Sequence, residues 1–153
     1  MNAVSLLSEL GSQMGISGLQ FDDQGCARLV FDGAVTLNLE HEPGSSKLQI
    51  YSVIGKVPVE NKEHVFQILL EGNLFGAETG GAVLAVDPLE REIVLFRTLE
   101  GEGITGAAFA EVVGHFVDAV EDWTARLATS GTTAPRSQQE SAHDGLAASM
   151  IRA

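Results

Sequence analysis

The chain has 153 residues, with 21 Asp and Glu against 9 Lys and Arg, and a formal charge of −12 at pH 7. Apolar residues make up 44% of it, enough for a packed core, which excludes an acidic disordered chain. A surface this negative repels phosphates, so nucleic acid and anionic membrane are set aside, and a basic or amphipathic polypeptide is the better partner.

Val4, Leu6, Leu7, Leu10 and Met14 recur at three- and four-residue steps and predict an amphipathic helix over 3–14. Three strands follow. The run 26–32 ends at Asp32-Gly33, a hairpin signal, and Val35-Thr36-Leu37-Asn38-Leu39-Glu40 alternates as a half-buried strand should. Pro43-Gly44-Ser45-Ser46 turns the chain into 47–54, which completes a three-stranded meander, and Gly55-Lys56-Val57-Pro58 is expected to end it. A second helix over 60–74 starts acidic, as a helix N-terminus prefers, and is apolar on more than one stripe. Gly80-Gly81 is a flexible turn before a strand at 82–86. Asp87-Pro88-Leu89-Glu90 turns into a strand at 92–98, and a long helix spans about 105–128.

The order α-β-β-β-α-β-β-α, with hairpin-length connections, predicts an α+β fold on a twisted antiparallel sheet. Residues 1–128 are expected to form one domain, and 129–153 a polar, flexible tail. Apolar residues at both parities of several strands and on two faces of the second helix ask for more partner surface than one chain supplies. A homodimer is the inference. The start of the chain lacks the basic and apolar stretches of a secretory signal, and no window approaches ~18 uninterrupted apolar residues, so no membrane insertion is expected. With one cysteine, Cys26, no internal disulfide forms, and a reducing cytoplasm is expected.

Catalytic chemistry finds little support. The four histidines lack ligand spacing, so no metal is expected, and no cofactor-binding motif is present. The acid pairs Asp22/Asp23, Glu40/Glu42, Glu90/Glu92 and Glu100/Glu102 sit in turns or at strand ends and read as solvated carboxylates. No serine has a nucleophile-elbow setting, and Gly80-Gly81 precedes a strand, not a helix that would cradle phosphate. The expectation is a protein that is not an enzyme.

The stretch from Leu69-Leu70-Glu71-Gly72-Asn73 through Gly80-Gly81 to Val86-Asp87 resembles the central signature of class I type III secretion chaperones, the Tir chaperone family. Leu10-Gly11, Met14-Gly15, Asp23-Gln24-Gly25, Val57-Pro58 and Phe116-Val117 with Glu121 and Trp123 add to the resemblance in unbroken order over about 3–128. It implies a homodimeric secretion-chaperone-like fold in a bacterial cytoplasm. Such a chaperone binds the N-terminal segment of a secreted effector, keeps it non-globular and helps deliver it to the secretion ATPase. An alternative is a dimeric regulator that sequesters a secretion activator or anti-activator.

An unfolded segment is held by strand addition at a sheet edge and by apolar grooves. The residues proposed for effector binding are Leu6, Leu7, Leu10, Leu29, Phe31, Val35, Leu37 and Leu39. Those proposed for the dimer are Phe66, Leu70, Leu74, Phe75, Val83 and Val94.

Overall fold

A computed structural model describes residues 2–131. Three helices, α1 (Ala3–Met14), α2 (Lys62–Gly72) and α3 (Gly106–Thr129), accompany five strands. The strands are β1 (Cys26–Phe31), β2 (Val35–His41), β3 (Lys47–Lys56), β4 (Val83–Asp87) and β5 (Glu92–Glu100). They form one antiparallel sheet in the order β1-β2-β3-β5-β4, with β1 and β4 at its edges. The expected α+β order and meander are present. Most of the tail expected at 129–153, from residue 132 on, lies outside the described residues.

Local chemistry sets the elements. Asn2 caps α1 by accepting the Ser5 amide at 2.8 Å, and Thr105 caps α3 by accepting that of Ala108 at 3.2 Å. Asp32 and Gly33 both take positive φ, 50° and 69°, which closes the β1–β2 hairpin. Several boundaries shift by a residue or two from the sequence expectation, and two of the shifts have a clear cause. Strand β3 runs on through Gly55 and Lys56, because a bulge between Val53 and Gly55 absorbs the irregularity and Lys56 still pairs with Glu92. Helix α2 stops at Gly72, and a separate 3-10 turn, Leu74–Gly76, carries the last apolar residues.

Alternation divides the sheet into two unlike faces. Leu37, Leu39, Leu48, Ile50, Ile93 and Leu95 are fully buried on the helix-covered face. They join Leu6, Leu7 and Leu10 of α1, Val65 and Leu69 of α2, and Phe109, Val113, Phe116, Val120, Trp123 and Leu127 of α3 in one core. The opposite face carries only a small cluster, Tyr51 and Val94 with Val53 and Phe96 packed on it. No helix covers that face among the described residues. The second face and the two edges are therefore where a partner could bind.

Candidate interaction surfaces

The first surface is the β1 edge. The Cys26 carbonyl accepts the Asp22 amide at 2.8 Å, and its own amide donates to Asp22 Oδ1, also at 2.8 Å. The Cys26 backbone groups thus point away from β2, and antiparallel alternation sends those of Arg28 and Val30 the same way. The side chain of Val30 is 59% exposed beside them. This edge offers an extended chain a template for strand addition.

The opposite edge differs. Asn73 donates from Nδ2 to the Leu84 carbonyl at 2.9 Å, and its Oδ1 accepts the Leu84 amide at 2.8 Å. One side chain thereby satisfies both outward backbone groups in the middle of β4, which blunts that edge against strand addition. What it presents instead is apolar: Leu70, Leu74 and Val83 are exposed, and Phe75 is 96% exposed. Phe75 also sits in the left-handed region at φ 56°, ψ 11°, a conformation that a bulky residue resists.

This knuckle is anchored from behind. Gly72 lies against the six-membered ring of Trp123, where a Cβ would overlap the indole. Trp123 Nε1 donates to the Glu78 carbonyl at 2.9 Å, Arg126 stacks 4.5 Å above the indole, and Arg126 also pairs with the Glu78 carboxylate. Thr79 Oγ1 donates to the Ala82 carbonyl at 2.6 Å. The loop is thus tied to α3, and Phe75 projects from a fixed support.

The site residues proposed from sequence divide by burial. Leu6, Leu7, Leu10, Leu29, Val35, Leu37 and Leu39 all lie in the core of the chain, and Phe31 is half-buried against it. They support the sheet and α1 from inside; what is exposed beside them is the β1 backbone edge and Val30. Among the proposed dimer residues, Leu70, Leu74, Phe75 and Val83 are exposed. Phe66 is partly buried against the core, and Val94 is fully buried beside Tyr51. Alternation could not make this division, because β2 and β5 are buried at both parities.

Sequence reasoning missed a polar constellation on the open face. Glu40, read as solvated, is 3% exposed, and its Oε1 accepts the Tyr51 hydroxyl at 2.7 Å. Asn38 is buried next to it and accepts Arg28 Nε at 3.1 Å through Oδ1. Burial and the bond to Glu40 push the Tyr51 phenol far above its ordinary value. Burial, then the charges of Glu40 and Asp22, push the Cys26 thiol up as well, so it is a poor nucleophile. Among the described residues, no group of three or more His, Cys, Asp or Glu could hold a metal ion. No helix among them is long and apolar enough to cross a membrane.

Residues 5–124 match the profile of the Tir chaperone protein (CesT) family. A protein of Chlamydia pneumoniae is 28% identical over 123 residues, covering 80% of this chain and 93% of its own length. Of solved structures, the ExsC–ExsE complex superposes with a TM-score of 0.67 at 22% identity, covering 82% of this chain and 96% of that one. The HopA1–SchA chaperone–effector complex does so at 0.66 and 18% identity, covering 79% and 91%. At these identities the structural likeness concerns the fold.

Proposed function

Because this chain belongs to the Tir chaperone family of type III secretion, we propose that it binds the N-terminal region of a secreted effector and keeps it extended and non-globular in the bacterial cytoplasm. The observation that carries this reading is the asymmetry of the sheet edges: β1 is open at Arg28 and Val30, whereas Asn73 closes β4 at Leu84. An extended segment adds to the open edge, gaining backbone hydrogen bonds without regard to its sequence. The closed edge, with exposed Leu70, Leu74, Phe75 and Val83, is left for a second copy of the chain. No step of this task requires catalysis. Delivery to the secretion ATPase follows as the next step of the same proposal.

The structural neighbour SchA is described in a chaperone–effector complex, which supports an effector as the partner here. Co-expression of the full chain with N-terminal fragments of secreted proteins from its own bacterium tests the reading. A retained fragment in a complex of two chains per effector is the expected result. Retention of a transcription regulator in place of any secreted fragment would favour the alternative, a regulator that sequesters an activator or anti-activator. Retention of neither overturns both.

A further inference from the structure

The sheet face left open by the helices is not uniformly apolar. At its β1 end, a recess of about 660 Å³ is lined by Asp22, Asp23, Cys26, Arg28, Glu40 and Tyr51, among others. Its floor is the unusual part. Glu40 is 3% exposed, yet the Tyr51 hydroxyl is the only hydrogen-bond donor that reaches its carboxylate among the described residues. Neither ion pair among those residues involves it. The nearest guanidinium on the wall, Arg28, is turned to Asn38 instead. A carboxylate withdrawn from water is normally matched by a cation or by several donors; this one has a single neutral donor.

The walls repeat the same sign. Asp22 and Asp23 stand at the rim, so three carboxylates share the recess with one guanidinium. Asp22 is held in place by two backbone amides, those of Gln24 and Cys26, at 2.9 and 2.8 Å. Gly25, at φ 80°, lets this turn close against the His41 carbonyl, where a Cβ would collide. Asp22 is therefore held in a fixed place on the rim.

Its position relative to the edge completes the argument. Cys26 and Arg28 line the recess with their side chains; the outward backbone groups of Cys26 are taken by Asp22, and those of Arg28, next along the strand, belong to the open β1 edge. A strand added to that edge directs every second side chain over the same face of the sheet. We propose that the recess receives a basic side chain of the bound polypeptide, an arginine in the first instance, with Glu40 as its counter-ion and Asp22 and Asp23 as the attracting rim. Arginine suits it better than lysine, because its planar fork of five donors spreads over several acceptors, where an ammonium is a compact point charge. Strand addition supplies affinity for any extended chain; the recess selects those with a basic residue at one register position. The inference rests on the reading that a polypeptide adds at β1, and it defines what that polypeptide must carry.

The test uses the full chain and a capped Thr-Val-Arg-Val-Thr pentapeptide, with a second peptide carrying citrulline in place of arginine. Citrulline keeps shape and most hydrogen bonding but has no charge. Binding is followed by NMR through the backbone amides of 26–30 and the Tyr51 ring. The arginine peptide is expected to shift these signals and to bind about ten-fold or more tightly than the citrulline peptide, and Glu40→Gln should erase that preference. Arg28→Gln, which removes a competing cation, should leave the preference intact or enlarge it. Equal binding of the two peptides, a preference that survives Glu40→Gln, or no shift with the arginine peptide at millimolar concentration and low salt each overturns the proposal. So does free L-arginine binding as tightly as the peptide, which would make the recess a small-molecule site. Thermal melting of Glu40→Gln checks that it folds. If the arginine peptide binds selectively while no effector fragment is retained in co-expression, the recess stands and the chaperone reading falls.

Discussion

Asn73 and Leu84 meet through both ends of one amide: Nδ2 to the Leu84 carbonyl at 2.9 Å and Oδ1 to the Leu84 amide at 2.8 Å. This pairing fixes the end of α2 to the sheet and closes the one edge that adjoins the exposed apolar knuckle. Asn73→Ala removes both bonds and leaves two backbone groups to water. A loss of about 1–3 kcal/mol in urea unfolding is expected, with aggregation through the freed β4 edge. Asn73→Asp keeps an acceptor for the Leu84 amide but sets a carboxylate against its carbonyl, so it should be at least as damaging.

Gly72→Ala places a methyl where the Trp123 ring lies. An indole enclosed in the core has no free direction in which to yield. The expected cost is about 1–3 kcal/mol, as for other overpacked positions. Because Trp123 also holds the Glu78 carbonyl, its fluorescence should change together with the stability. An unchanged emission spectrum and melting temperature would contradict this packing.

Phe75 offers a test of the proposed dimer. Leu70, Leu74 and Phe75 are 72%, 64% and 96% exposed, so replacing them touches little of the core. Phe75→Asp is expected to convert the protein to a monomer in sedimentation experiments while its circular dichroism stays native. Phe75→Gly should also weaken association, yet it relieves a left-handed aromatic residue and should stabilise the isolated chain by about 1 kcal/mol. A wild-type chain that sediments as a monomer at every concentration would end the dimer proposal.

At the other edge, proline separates backbone from side-chain effects. The Val30 amide points off the sheet, so Val30→Pro removes no bond of the β1–β2 ladder. Stability should change by less than about 1 kcal/mol, while capture of an effector fragment should weaken about ten-fold or more. Val30→Ala, which keeps the amide, should bind nearly as well as wild type. Equal binding by the proline variant, measured by calorimetry, would place the partner elsewhere.

The Tyr51 phenol supplies a pH dependence with a definite sign. Its folded-state pKa is raised, by burial first and then by Glu40, above an ordinary value of 10.0. The folded state therefore holds the proton more tightly than the unfolded chain does. Stability from this group is fully present below pH about 10 and is lost above it, at roughly 1.4 kcal/mol per pH unit. Cys26 acts in the same direction from its lower ordinary value of 9.0. Urea unfolding at pH 8 and 11 should show a decline about 1.4 kcal/mol larger in wild type than in Tyr51→Phe. Near neutral pH that variant should itself be about 1–2 kcal/mol less stable, because Glu40 loses its donor.

How far the sequence alone reached follows from the range of the forces involved. Helix and strand order, the Asp32-Gly33 turn and the family resemblance are local or patterned signals, and they were legible because periodicity and turn chemistry act within a few residues. The surplus apolar stripe of the second helix was legible too, and Leu70 is 72% exposed on it. The tertiary structure alone decided that Leu6, Leu7, Leu10, Leu37 and Leu39 are core, because a leucine facing helices and one facing a partner alternate identically along the chain. It also decided that Asn73 closes one edge while Arg28 and Val30 leave the other open, and that Glu40 is buried under Tyr51. Each of these joins residues about ten apart in the chain or sets two sheet edges against each other. Strand register places them together, and register is a property of the packed sheet as a whole.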